Sequence, residues 1–167
     1  MPQILQLHST VFYHIRRVFY FCSPRLTKQS NMKTVMLIDD DAGFCQALSL
    51  VFKRSGFNVM VETRGENVLA NNFTRPDIFV LDRYLPDVDG LELCRHLKTR
   101  PETSEVPVVM ISGTEDVKFH APSAGAIDFL NKPVDVNHLL KIVNFHCTYG
   151  APKSPNNKWR KHNISNN

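Results

Sequence analysis

The chain is 167 residues long with 43% apolar residues, enough for one domain of ordinary size plus tails. Its net charge of +4 is unevenly placed: residues 1–31 and 148–167 each carry four basic residues and no acid, while the block between holds all 16 acids against 12 basic residues. The overall balance therefore gives no support for nucleic-acid binding by the central block, and no stretch is long or apolar enough to span a bilayer.

The ends read differently from the middle. Residues 1–31 contain Phe12, Tyr13, Phe19, Tyr20 and Phe21, interrupted by Arg16-Arg17, without the ordered regions of a signal peptide. We read them as a disordered N-terminal extension or as sequence upstream of the true start, since Met32 directly precedes the first strand. A basic-aromatic segment lying on a membrane surface is the alternative. Residues 148–167, rich in Lys, Asn and Pro, read as a basic disordered tail. The four cysteines (Cys22, Cys45, Cys94, Cys147) have no metal-ligand spacing and fit free thiols in a reducing cytoplasm.

From residue 32, apolar runs alternate with segments of helical spacing. A strand over 33–38 (Val35, Met36, Leu37, Ile38) stops at Asp39-Asp40. A helix follows over 42–54, with Phe44, Leu48 and Val51 or Phe52 on one side, and Gly56 closes it. Residues 58–62 form a short strand and 65–72 a weak helix. A third strand, 77–81, stops at Asp82, and the turn-rich Leu85-Pro86-Asp87-Val88-Asp89-Gly90 opens a helix over 90–98 with Leu91, Cys94 and Leu97 in register. Strand 107–111 ends at Ser112-Gly113, and a helix is expected over 114–124 despite Pro122 inside it. Strand 126–130 ends at Asn131-Lys132-Pro133. A last helix over 135–147 presents Val136, Leu139, Leu140 and Val143 and ends the domain, which spans 32–147.

Five strands alternating with helices argue for an open parallel α/β sheet whose right-handed crossovers put every strand's C-terminal end on one edge. That edge collects Asp39, Asp40 and Asp82, whose mutual repulsion is relieved by a cation or by protonation. With Ser112 and Lys132 beside them, these are the parts of a metal-assisted phosphoryl-transfer site. Taken singly, each has an ordinary structural role open to it. Asp39-Asp40 and Asp82 could cap helices or turns, Ser112 could be a turn residue, and Lys132 a solvated lysine.

Taken together, Leu37-Ile38-Asp39-Asp40-Asp41, Val80-Leu81-Asp82, Leu85 to Gly90, Met110-Ile111-Ser112-Gly113 and Phe129-Leu130-Asn131-Lys132-Pro133 resemble the signature blocks of a response-regulator receiver domain, in the right order. The resemblance implies a flavodoxin-like doubly wound five-stranded parallel sheet, order 2-1-3-4-5, with helices on both faces. It implies Asp82 as phosphoacceptor and Mg²⁺ held by Asp40, Asp82, the Tyr84 backbone carbonyl and, partly through water, Asp39. Lys132 and the Ser112 hydroxyl would meet the phosphoryl group, after a cis Lys-Pro bond. Ser112 and Phe129 would form the switch, the alternative for Phe129 being a strand residue buried at all times. Asp41 stands where the family often has Glu, with exposure or helix capping as its role.

The resemblance further implies a sensor histidine kinase or a histidine phosphotransfer protein as donor and a downstream protein target. We expect a single-domain, cytoplasmic regulator that is not a turnover enzyme, because the tail after Thr148 is too short for a DNA-binding domain. A phosphorylation-independent interaction module is the alternative; a nucleic-acid binder using the tails is a third class. A haloacid-dehalogenase phosphatase would need an acid at Tyr84. The histidines, among them His96, His138 and His146, do not cluster. Two departures stand out: the stretch from Ser112 to Lys132 is short, and Pro122 disturbs the fourth helix, which puts the family's dimer face in doubt.

Overall fold

The computed structural model describes residues 32–114 and 116–150, so the expected extension over 1–31 and most of the expected basic tail, 151–167, lie outside the described residues. Five parallel strands form one sheet in the order β2-β1-β3-β4-β5, the order the family resemblance implies. They are β1 (Thr34–Ile38), β2 (Asn58–Glu62), β3 (Ile78–Asp82), β4 (Val108–Ser112) and β5 (Asp128–Asn131). Between and after them run α1 (Ala42–Arg54), α2 (Gly65–Leu69), α3 (Gly90–Thr99), α4 (Val117–His120), a 3₁₀ turn at Pro122–Ala124, and α5 (Val136–Tyr149).

The inner strands β1, β3 and β4 are buried almost throughout, because both faces of the sheet are covered. Alternate residues serve opposite faces. Val35, Leu37, Val80, Val109 and Ile111 join Cys45, Leu48 and Phe52 of α1 and Leu139, Ile142 and Val143 of α5 in one cluster. Met36, Ile38, Phe79, Leu81 and Met110 join Val68 of α2, Leu91, Leu93, Cys94 and Leu97 of α3, and Val117 of α4 in the other. Helices thus lie on both faces, and the two-residue period of the strands divides one apolar inventory into two cores.

Caps fix where the helices begin. Asp41, Asp89 and Asp135 each accept a backbone N–H one or two residues into α1, α3 and α5. Gly56 closes α1 in the left-handed region, φ 86°, as its position after the helix suggested.

Four expectations need correction. The helix over 114–124 is only the four-residue α4 followed by a 3₁₀ turn, because Pro122 has no N–H to continue the ladder and Gly125, φ 89°, ends the turn. The weak helix over 65–72 stops at Leu69. The core face of α1 uses Cys45 with Leu48 and Phe52, while Phe44 is only half-buried. The last helix does not end at 147: α5 continues through Thr148, whose hydroxyl donates to the Asn144 carbonyl (2.8 Å), to Tyr149.

Gly90, the first residue of α3, lies against the end of β3. A Cβ there would sit 2.1 Å from the Asp82 carbonyl oxygen and 2.9 Å from Arg83 Cα. The obstructing atoms are backbone, so nothing can swing aside. Gly90→Ala is expected to destabilise the domain by about 3 kcal/mol in urea unfolding. A variant as stable as the parent would show that the α3–β3 approach is not this tight.

Candidate active site

The sheet ladder runs past the strand ends and so fixes the chain that carries the site. The Asp39 N–H donates to Glu62 O (3.1 Å), Arg83 N–H to Ile111 O (2.9 Å) and Lys132 N–H to Ser112 O (2.7 Å). Asp39, Asp82 and Lys132 therefore inherit the order of the sheet, and each sits at the C-terminal end of its strand.

Asp39 and Asp82 are buried, at 4% and 6% exposure, while Asp40 faces solvent. Carboxylate oxygens of all three lie within 4.8 Å of one another. The two oxygens of Asp39 have separate tasks: Oδ1 accepts the Asp41 N–H (2.9 Å), and Oδ2 accepts from Lys132 Nζ (2.8 Å). Asp82 is likewise divided, with Oδ1 accepting the Arg83 N–H (2.8 Å) and Oδ2 standing 3.3 Å from Lys132 Nζ. Capping of α1 falls to Asp41, whose Oδ1 accepts the Phe44 N–H (3.0 Å), one of the two roles its position allowed. That leaves Asp39 and Asp40 available to the site.

Lys132 lies between the buried acids, with its ammonium 4.9 Å from the centroid of the Phe44 ring. The Lys132–Pro133 bond is cis. Burial works to lower the Lys132 pKa, but the hydrogen bonds and charges of Asp39 and Asp82 outweigh it and hold the ammonium above its ordinary value. Burial, and after it the charge of Asp39, push the Asp82 carboxyl above its usual range against the opposing pull of Lys132 and the Arg83 N–H.

Ser112, at the end of β4, is fully buried; its hydroxyl lies 3.1 Å from Thr114 Oγ1 and accepts the Thr114 N–H at 3.1 Å. Thr114 Oγ1 also meets Asp116 and stands 3.3 Å from the Tyr84 hydroxyl. Tyr84 is half exposed; its backbone bridges to Asp89, and its ring lies 4.9 Å from the Arg83 guanidinium, which is itself paired with Asp89. Phe129 lies on β5 opposite Met110 and is half-buried against the α3–α4 core, so it is not the fully enclosed strand residue of the alternative reading.

The site thus gathers Asp39, Asp40, Asp82 and Lys132 in one cluster, sets Ser112 at the neighbouring strand end, and leaves Phe129 three residues back along β5. Two contributors were not picked out from sequence. Thr114 carries only the spacing of two from Ser112 as a signal. Phe44 was read purely as a core residue of α1, and its place over Lys132 has no local signature.

The geometry can be set against known proteins. The family model for the response regulator receiver domain matches residues 35–144. The phosphate regulon transcriptional regulatory protein PhoB of Rhizobium meliloti is 32% identical over 122 residues, covering 71% of this chain and 54% of that protein. Protein PilH of Pseudomonas aeruginosa is 30% identical over 116 residues, covering 68% of this chain and 96% of PilH. Among solved structures, a putative response regulator from Chloroflexus aurantiacus superposes with a TM-score of 0.66 at 30% identity, covering 70% of this chain and 98% of that one. The chain spans about half the length of the first curated relatives it matches. It belongs to the response-regulator receiver family, the receiver domains of two-component systems.

A carboxyl whose folded-state pKa is raised adds stability below its unfolded value, and that contribution is lost as pH rises through the folded one. At neutral pH the ionised Asp82 is therefore a cost to the metal-free fold. Asp82→Asn is expected to raise the urea midpoint at pH 7 in Mg²⁺-free buffer, with the gain shrinking once pH falls below the carboxylate range. An unchanged or lower midpoint at pH 7 would contradict this electrostatic account.

Proposed function

We propose that Asp82 is the phosphoacceptor of a Mg²⁺-dependent transfer from a histidine-phosphate donor. The observation that carries this reading is the pair of buried carboxylates, Asp39 and Asp82, held at one sheet edge around the ammonium of Lys132. Receiver domains hold Mg²⁺ in an acidic site, and the three carboxylates here suit it: hard oxygen donors on which a small divalent cation keeps part of its water. Asp40 and Asp82, the Tyr84 carbonyl and Asp39 partly through water are the groups that would hold it. When bound, the ion supplies charge neutralisation for the incoming phosphoryl oxygens.

In the step itself an Asp82 carboxylate oxygen attacks phosphorus, the P–N bond to the donor imidazole breaks, and the ring nitrogen keeps the bonding electrons. The product is an acyl phosphate on Asp82. Lys132 then exchanges its contact with Asp82 Oδ2 for a phosphoryl oxygen, bringing a mobile point charge where negative charge gathers. The Ser112 hydroxyl leaves Thr114 to donate to the same group, and Phe129 follows inward as the switch.

The partner supplying phosphate is a sensor histidine kinase or a histidine phosphotransfer protein. Near-complete coverage of PilH supports a regulator whose output is delivered by the receiver surface to a protein target. Receiver domains are signalling phosphoacceptors and not classical enzymes, and the free thiols of Cys45, Cys94 and Cys147 support action in the cytoplasm. No helix among the described residues is long and apolar enough to cross a membrane.

Incubation with Mg²⁺ and acetyl phosphate, followed by intact mass measurement, is expected to add one phosphoryl group. Chelating the metal or making Asp82→Asn should abolish the gain. No gain on the parent protein would favour the phosphorylation-independent interaction module. A further outcome concerns lifetime: the Tyr84 ring, two residues beyond Asp82 with its hydroxyl 3.3 Å from Thr114 Oγ1, would shield the acyl phosphate from water. Tyr84→Ala is expected to shorten the phosphorylated state; an equal or longer lifetime would remove the ring from that role.

A further inference from the structure

The Lys132 ammonium has neighbours on three sides: Asp39 Oδ2 at 2.8 Å, Asp82 Oδ2 at 3.3 Å and the Phe44 ring centroid at 4.9 Å. Its side chain is 29% exposed, so water has access from the remaining direction. A lysine on a flexible four-carbon stem could swing out to that water if the acids alone held it. The residue that carries the ring is itself anchored. The Phe44 N–H donates to Asp41 Oδ1, the Asp41 N–H donates to Asp39 Oδ1, and the ring packs on the core that contains Cys45, Leu48 and Val80.

From this geometry we infer that Phe44 is a positioning residue for Lys132, its ring face holding the ammonium over the site while phosphate is received. The reasoning turns on which neighbours keep their pull during the reaction. The carboxylates attract the ammonium through charge; a divalent cation would offset that charge, and an acyl phosphate on Asp82 would move it from the carboxylate to the phosphoryl oxygens. The aromatic face attracts a cation through its quadrupole, which neither event alters. Phe44 is thus the member of the cage whose hold survives the change of partner from carboxylate to phosphoryl oxygen. It also covers one side of the ammonium, which limits the competition from water. The inference rests on the phosphoacceptor reading above.

The simpler role for Phe44 is packing on the core of α1, and the test separates the two. Phe44→Leu and Phe44→Met keep an apolar side chain and lose the ring face; Phe44→Tyr keeps the face. In the parent protein, the Lys132 Cε protons are expected upfield of ordinary lysine values in ¹H–¹³C spectra, because the ammonium they adjoin lies over the ring. Phe44→Leu should return them to ordinary values, and Phe44→Tyr should not. With Mg²⁺ saturating, phosphorylation by acetyl phosphate should slow by about three- to fivefold in Phe44→Leu and in Phe44→Met, and recover in Phe44→Tyr. Thermal unfolding of each variant records the packing loss separately.

Parent-like rates in both aliphatic variants would overturn the inference. So would equal losses in the aliphatic and tyrosine variants, or Lys132 resonances indifferent to the ring. If the parent itself takes no phosphate, the phosphoacceptor reading fails instead, and the Lys132 shifts still report whether the ring holds the ammonium.

Discussion

Two carboxylates are buried at one edge of a parallel sheet with one ammonium between them, and the chemistry of the domain follows from that shortage of positive charge. Asp39 and Asp82 repel each other, burial strengthens the repulsion, and Lys132 compensates only part of it. A site so composed suits the further cation proposed above. It also has an ammonium held between the two acids on a long side chain, able to move a short way to a new anion. The same electrostatic deficit thus accounts for the raised pKa of the Asp82 carboxyl and of the Lys132 ammonium, and the proposed metal and phosphoryl roles are built on it.

The fold imposes this arrangement, because each charged residue is delivered by a strand end and the order of the strands fixes their neighbours. β1 and β3 are adjacent, so Asp39 and Asp82 must meet; β4 then separates β3 from β5, so Lys132 has to reach across the end of β4. The length of a lysine side chain suits that reach. Its backbone is held to Ser112 O, which ties the lysine and the serine to one rung of the ladder. The close approach of α3 at Gly90 sets the height of the Asp82 backbone from the other side. None of these constraints is local, yet each is encoded by a local feature: a strand that stops at an acid, a serine or an Asn-Lys-Pro, and a glycine that begins a helix.

That is why so much of the site was legible in the sequence. Apolar runs ending in Asp39, Asp82, Ser112 and Lys132 mark both the strand and the position of its end, and parallel topology then brings those ends together without any knowledge of side-chain packing. Strand positions drifted by one or two residues, because the ladder, and not the apolar run, decides where pairing stops. What resisted reading was set by long-range contact. Cys45 displaced Phe44 from the α1 core because the helix's rotation depends on what it packs against, and two adjacent apolar residues leave that rotation open. Thr114 became the partner of Ser112 through a turn whose geometry includes Asp116 and Tyr84, contacts that no spacing announces. The length of α4 was the reverse case: Pro122 was visible, and its interruption of the N–H ladder acted as the chemistry of proline requires.

The short α4 bears on how, on the proposed function, a charge at Asp82 would reach the surface. From Ser112 the contacts run to Thr114, from Thr114 to Asp116 and to Tyr84, and Val117 then begins α4. On the proposed function, a serine hydroxyl recruited to a phosphoryl oxygen would give up Thr114, whose side chain meets Asp116 just ahead of α4. With four residues and a 3₁₀ turn in place of a full helix, this element has few backbone hydrogen bonds to resist displacement, and segments of that kind lie at the low end of local stability. Its anchor is Val117, fully buried in the same core against which Phe129 packs, while Phe119 two residues on is exposed. A movement begun at Ser112, as the proposed switch requires, would meet the core at Val117 and the surface at Phe119. The proline that shortens the helix also keeps the line of contacts from Ser112 to the exposed Phe119 short.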